Sequence, residues 1–195
     1  MTLSVSVVSG PELRPLLPEL ARLRLEVFRA FPYLYDGTPE YEERYLQPLL
    51  DTPDAVIVLA RDGRVVVGAS SALPLIRETP ELQAPIGPPE FDRADVLYLG
   101  ESVLKTEYRG RGLGHAFFDH REEHAQRLGL GTTAFCAVQR PDDHPARPTP
   151  YRSLHAFWVA RGYTERPDLH TTLSWPDVGD DRDTPKPMRF WLRKG

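Results

Sequence analysis

Arg109-Gly110-Arg111-Gly112-Leu113-Gly114 is the stretch on which the reading of this chain turns. It carries three glycines within five residues, flanked by two arginines. Before it, Ala94 to Lys105 is rich in Val, Leu and Tyr and reads as a strand. After it, Gly112 to Leu128 sets Leu113, Ala116, Phe117, Ala125 and Leu128 on one helical face. Glycine allows a tight turn and a close approach of backbone to ligand. The first amides of the following helix lack intrahelical acceptors, and its dipole turns a positive end to the loop. With Arg109 and Arg111 adding charge, the segment reads as an anion cradle, most naturally for a phosphate or pyrophosphate. The alternative is a tight strand-to-helix turn with solvated arginines. No Gly-Lys-Ser/Thr follows, so this is not a Walker loop. The Gly-x-Gly-x-x-Gly spacing is absent and the preceding strands are not βαβ, which argues against a dinucleotide fingerprint.

Working outward, Leu3 to Val8 alternates as a half-buried strand. Pro11 to Phe31 has Leu13, Leu16, Leu17, Leu20, Leu23 and Val27 at helical spacing, with Pro15 and Pro18 interrupting its first turns. Pro39 to Leu50 reads as a second helix. Ala55 to Ala60, an Asp62-Gly63 turn and Val65 to Ala72 read as a hairpin. Thr132 to Val138 is a strand, and Ser153 to Arg161 is a helix ended by Gly162. His170 to Trp175 and Met188 to Leu192 are the last strands. Strands in a run, then strand–helix–strand–helix–strand, imply an α+β or mixed α/β layer fold. Prolines cluster at Pro74 to Pro89 and at Pro141 to Pro150, marking two shaped loops.

The chain has 195 residues, 24 basic and 28 acidic, for a formal charge of −4. That length suits one domain with a sizeable core of its own. The mildly acidic balance, without a basic run, argues against general nucleic-acid binding. The longest wholly apolar run, Ala55 to Ala60, is too short to span a bilayer, and Met1 to Gly10 shows no signal peptide. A single cysteine, Cys136, forms no internal disulfide and fits a reducing cytosol. The expectation is a cytoplasmic protein with no membrane or nucleic-acid partner.

Arg109 to Gly114 resembles the Arg/Gln-x-x-Gly-x-Gly/Ala motif of the GNAT N-acetyltransferases. Leu104 to Tyr108 precedes it much as the end of that family's fourth strand does, and His155 to Tyr163 is similar to its helix ending in Gly-Phe or Gly-Tyr. The element order agrees from Leu3 to Leu192. The resemblance implies a single GNAT-like domain over residues 1–195. Its sheet would be mixed and mostly antiparallel, of about seven strands, with helices on both faces and a splayed central strand pair. It implies acetyl-CoA as co-substrate, no metal, and transfer of the acetyl group to a primary amine of a small acceptor by direct attack in a ternary complex. Homodimers occur among similar proteins.

By the same resemblance, the backbone of Arg109, Gly110, Arg111, Gly112, Leu113, Gly114 and His115 would hold the pyrophosphate. Val103 and Leu104 would pair with the pantetheine arm, and the amide near Val103 would polarise the thioester carbonyl. An amine must be neutral to attack, so the reaction needs a base or a desolvated pocket. Glu101, a carboxylate in an otherwise apolar strand, is the first candidate base, unless strand alternation turns it from the cleft. Tyr98, on the opposite parity, is the substitute. Where the family often has an acid Tyr, this chain has Trp158, whose indole supplies no proton. Tyr151 and His155 are the nearby alternatives. The rival reading is a non-catalytic GNAT-like sensor or assembly module that binds acyl-CoA.

Phe157 and Trp158 read as packing residues, and Cys136 as a small buried hydrophobe. The loop Arg140 to Pro148 is expected beside the acceptor cleft, and Ile76 to Asp95 as a second wall or an interface. His120-x-x-Glu-His124 has the form of an inverted zinc-protease motif, but a helix face turned from the cleft is a solvated surface, not a catalytic metal centre. Asp180-Asp181 reads as a solvated hairpin loop.

Overall fold

Proline placement decides where the first helix starts. The computed structural model describes residues 2–195. Gly10–Leu16, which contains Pro11 and Pro15, is a tight 3-10 turn, and α1 (Leu17–Phe28) begins with Pro18 in its first turn, where a missing N–H costs nothing. The other elements are β1 (Leu3–Val8), α2 (Pro39–Asp51), β2 (Val56–Asp62), β3 (Val65–Pro74), α3 (Pro80–Gln83) and β4 (Val96–Leu104). They continue with α4 (Leu113–Leu128), β5 (Thr132–Val138), α5 (His155–Ala160), β6 (Thr164–Trp175) and β7 (Thr184–Lys194). Thr38 caps α2, its hydroxyl accepting from the Tyr41 amide at 3.3 Å. Gly129, at φ +72°, closes α4 while the Leu130 amide bonds back to the Ala125 carbonyl at 2.9 Å.

All seven strands join one sheet in the order β1-β2-β3-β4-β5-β7-β6. Every pair is antiparallel except β4–β5. That parallel pair registers only from Val96↔Thr132 to Tyr98↔Ala134. Beyond it β4 continues against β3 and β5 against β7, so the two central strands part. The fold is the single mixed α/β domain expected from the element order, with helices on both faces.

Each face has its own core. Leu20, Leu23, Leu46 and Leu49 of α1 and α2 pack on Ile57, Leu59, Tyr98 and Val103. On the other face Leu113, Phe117, Phe118 and Ala125 of α4 cover Val58, Val67, Leu97, Leu99 and Phe135. At about 25 cal/mol per Å², each large side chain so buried contributes roughly 1.5–3 kcal/mol.

Other boundaries also differ from the expectation. The β2–β3 turn is Gly63-Arg64, one residue later than read, with a register shift between Ala60 and Arg61. β6 and β7 run longer than their apolar cores, because β6 bulges between Arg166 and His170 and resumes pairing on the far side. Helix α5 is shorter than the expected Ser153 to Arg161; it begins at His155, whose amide donates to the Ser153 hydroxyl at 3.2 Å. The stretch from Ile76 to Asp95 folds over β6. Leu82, Ile86 and Phe91 enter the core, and Arg166 pairs with Glu90 at 2.7 Å. No helix among the described residues is long and apolar enough to cross a membrane.

Candidate active site

The gap between β4 and β5 opens beside the Gly/Arg loop. Gly110 and Gly112 have φ of +74° and +82°, a region that L side chains rarely adopt, and open space lies where their Cβ atoms would be. Gly112 is the cap of α4, whose first α-helical bond runs from the Ala116 amide to the Gly112 carbonyl at 3.2 Å. The Leu113, Gly114 and His115 amides therefore face outward without intrahelical acceptors. Arg109 and Arg111 are exposed on the same loop; Arg111 donates to the Glu107 carbonyl at 3.0 Å and lies over the Tyr108 ring. The His115 ring meets Phe157 edge-on at 4.9 Å, tying α4 to α5. Arg161, bonded to Asp119 and Glu122 at 2.7 Å, adds a second tie.

A bulge in β4 decides which side chains face the gap. Ala72 pairs with Leu99 and Ser70 with Ser102, so two steps on β3 match three on β4. The extra residue falls at Gly100–Glu101, where Gly100 leaves room for the Ser71 hydroxyl. Before the bulge Tyr98 faces α1 and α2 while Leu97 and Leu99 face α4. After it Val103 is on the α1–α2 side and Leu104 on the α4 side. Glu101 and Tyr98, of opposite parity in sequence, thus share one face. Past Tyr98 the β5-facing edge of β4, including the backbone around Val103 and Leu104, has no strand partner.

Glu101 meets a buried arginine there. Arg24 of α1, 6% exposed, lies 3.0 Å from Glu101 through Nη1, an ion pair without hydrogen-bond alignment. Its Nε donates to Glu42 of α2, which is fully buried and also accepts from the Tyr35 hydroxyl at 2.7 Å. The Tyr45 ring stacks on the guanidinium at 4.3 Å, and Phe28 at 5.0 Å. Burial works against the Arg24 charge, but Glu101, Tyr45 and Glu42 outweigh it and hold the group protonated. Glu78, four residues past the end of β3, is half-buried, and burial raises its carboxyl to a pKa of about 7. The reading of the sequence missed Arg24, Glu42 and Glu78. For Arg24 a signal existed: it stands beside Leu23 and four residues after Leu20, on the apolar stripe of α1.

The remaining candidates divide by environment. The Tyr98 hydroxyl is 3.1 Å from the Cys136 sulfur; burial raises its pKa well above the ordinary phenol value, so it stays protonated. Burial likewise pushes the Cys136 thiol up to about 12, in keeping with an inert packing residue. Tyr151 meets Phe31 edge-on at 4.8 Å, and burial raises its pKa against the opposing charges of Arg147 and Arg109. Phe157 and Trp158 pack on the α4-face core, Trp158 against Phe135 and Trp191 at 5.0 and 5.1 Å. His155 lies over Trp158 and Trp191.

Arg140 ties three distant segments together. It donates to the Pro32 and Tyr33 carbonyls, each at 2.8 Å, and to both oxygens of Asp177 at 2.9 and 2.7 Å. The proline-rich loop that follows rests on Phe31 through His144 and Tyr151. His124, of the formal zinc motif, has both ring nitrogens engaged: Nε2 by the Asp54 carbonyl at 2.7 Å and Nδ1 by Arg127 at 3.2 Å. It is an anchor between α4 and the start of β2.

Comparison with known proteins agrees with this fold. The sequence model of the Acetyltransferase (GNAT) family matches residues 19–163. No curated protein matches the chain. Among solved structures, the ribosomal-protein-alanine N-acetyltransferase of Brucella melitensis superposes with a TM-score of 0.61 at 15% identity, covering 97% of this chain and 99% of that one. An acetyltransferase of Thermus thermophilus gives 0.57 at 21%, covering 100% and 98%. A GCN5-related N-acetyltransferase of Kribbella flavida gives 0.58 at 18%, covering 99% and 98%. At these identities the likeness is one of fold.

Proposed function

The chain belongs to the GNAT acetyltransferase family, and from that premise we propose that it moves the acetyl group of acetyl-CoA to a primary amine of a small acceptor, by direct attack with both reactants held together. The observation that carries the reading is the pairing of a backbone anion cradle with the β4–β5 gap. The amides of Leu113, Gly114 and His115, with Arg109 and Arg111, suit a pyrophosphate. The open space over Gly110 and Gly112 leaves room for it. The unpaired β4 edge at Val103 and Leu104 suits the amide-bearing pantetheine arm, and an amide N–H there would stabilise the oxyanion of the tetrahedral intermediate.

On the acceptor side, Glu101 presents a carboxylate toward the incoming amine, braced by Arg24. Tyr151 keeps its proton and lies near enough to Arg109 to feel its charge, which suits a donor to the departing thiolate. Tyr98, also protonated, lines the base of the gap. Direct transfer gains from holding both reactants in attack geometry.

The first test is thermal stability against acetyl-CoA concentration. A ligand at a hundred times its dissociation constant adds about 2.7 kcal/mol, or roughly 5–10 °C for a chain of this size. A saturable rise, followed by release of CoA thiol on adding primary amines, supports the reading. No rise at millimolar acetyl-CoA in folded protein refutes it; a rise without release by any amine leaves binding alone.

A further inference from the structure

The sheet has two edges, and the chain treats them differently. β6 lies at one end of the strand order and β1 at the other. The β6 edge is guarded. It carries Glu165, Arg166, Pro167 and Asp168, and it bulges between Arg166 and His170. The stretch after β3 covers part of it: Thr171 Oγ1 donates to the Glu81 carbonyl at 2.8 Å, and Arg166 pairs with Glu90. Charge, proline, a bulge and a covering loop are the usual protections of an unpaired edge. β1 has none of them. Leu3-Ser4-Val5-Ser6-Val7-Val8 holds no charge and no proline, and it pairs with β2 in continuous register from Leu3↔Asp62 to Val8↔Ile57.

The turn beside β1 fixes which of its backbone groups are free. The Gly63 amide donates to the Thr2 carbonyl at 3.1 Å. Backbone groups alternate sides along a strand. Ser4, Ser6 and Val8 therefore continue that ladder toward β2, and the amides and carbonyls of Leu3, Val5 and Val7 point outward. The side chains of the same three residues share the face toward α4, where Val5 packs on the cluster of Leu113 and Phe117. Leu3 and Val7 are 36% and 39% exposed. Val7 also borders an open groove of about 590 Å³ with His120, Glu123, Gln126 and Arg127 of α4.

We propose that this edge is the interface for a second copy of the chain, the two β1 strands pairing antiparallel about a two-fold axis that passes between their Val5 residues, perpendicular to the sheet. That axis keeps both α4 helices on one face. It sets Leu3 opposite the partner's Val7 and Val5 opposite the partner's Val5, so the exposed apolar pair of each copy covers that of the other. The outward amides and carbonyls meet their complements, and no like charges meet along the strands. At the rim the charges are opposite. Glu123 stands beside Val7, its carboxylate 3.4 Å from His120. Arg64 is exposed in the β2–β3 turn, next to the residues that flank Thr2 and Leu3. The register brings the Arg64 turn of each copy toward the partner's Glu123. The two-fold also ends the assembly, because each copy has one open edge and pairing consumes it. A pairing of this size is at the small end of protein interfaces, so the association is reversible.

The test is the association of the full chain with itself. Sedimentation velocity from about 1 to 500 µM should show a reversible passage from one chain to two and no further. Leu3→Lys combined with Val7→Lys should raise the dimer dissociation constant about tenfold or more, with the far-ultraviolet circular dichroism of the wild type retained. Arg64→Glu and Glu123→Arg should each weaken association about three- to tenfold, and the two changes in one chain should restore it, which a general loss of fold would not do. Hydrogen exchange followed by NMR locates the contact. The Leu3, Val5 and Val7 amides should slow about tenfold or more between the ends of that concentration range, while those of Ser4 and Ser6, already bonded to β2, keep their rates. A chain that stays single at the highest concentration overturns the proposal. So does a dimer unaffected by the lysines in folded protein, growth beyond two chains, or new protection along β6 instead of β1. Should the lysine variant fail to fold, the charge exchange and the amide rates decide the same question. None of these outcomes touches the reading of acetyl transfer.

Discussion

The two sides of the β4–β5 gap are built from different materials. The side proposed for the donor is backbone: two glycines at positive φ, the open amides of one helix and a strand edge left unpaired, all within Val103 to His115. The side proposed for the acceptor is side chains: Arg24 from α1, Glu42 and Tyr45 from α2 and Glu101 from the bulge of β4. A backbone site survives replacement of most side chains around it and fails when its conformation is blocked. A buried charged cluster fails when one member goes, because the others stay behind without partners.

That contrast can be broken most directly at Glu42. Glu42→Ala removes the buried partner of Arg24 and Tyr35, and unfolding in urea should show a loss of about 3–5 kcal/mol. Acetyl-CoA affinity of the protein that stays folded should change little. A loss of donor affinity equal to that of a cradle variant would join the two sides.

Glu78 gives the next effect, through pH. Its pKa in the folded chain lies above the free value of 4.5, near 7, so the native state holds more protons than the unfolded one between those values. Wild-type stability should therefore fall as pH rises through that window. Glu78→Gln should remove the fall, gaining on the order of 1–3 kcal/mol over wild type at pH 8 relative to pH 4. Denaturant melts at the two pH values check it, and an unchanged difference rejects the raised pKa.

Gly112→Ala acts on the donor side. Its Cβ meets no atom, so the cost is that of an L residue at φ +82°, about 1–2 kcal/mol. Any relaxation turns the first amides of α4 from the cradle. Calorimetry should show acetyl-CoA binding weakened about tenfold, some 1.4 kcal/mol, with the titration of Glu78 unmoved. The smallest effect belongs to the discarded metal motif. His120→Ala, on the outer face of α4, should change stability by less than about 0.5 kcal/mol, and a chelator should leave both acetyl-CoA binding and the melting midpoint unchanged.

How much of this was legible follows from the same contrast. Thr132 to Val138 was read to the residue, and Gly112 to Leu128 within one, because period and punctuation are local. Lys105 to Gly114 announced a loop whose partners are its own neighbours. Glu101 was found as a carboxylate in an apolar strand, but its direction was not, since alternation assumes an unbulged strand and the extra residue at Gly100–Glu101 reverses the faces. Glu78 sits in a proline-punctuated stretch with no period, where nothing local marks one glutamate from another. Arg140 read as a loop residue; its role in joining Pro32, Tyr33 and Asp177 spans 107 and 108 residues one way and 37 the other.

The sequence by itself determined the strands and helices, their order and the glycine turn that opens α4, because each depends on residues a few positions apart through φ preference, hydrophobic period and unpaired helix amides. Only the tertiary structure decided which of the carboxylates a cation holds. That choice depends on a one-residue bulge and on an arginine brought from a distant helix, and the electrostatics of a buried group are set by whatever the fold places within a few ångströms of it.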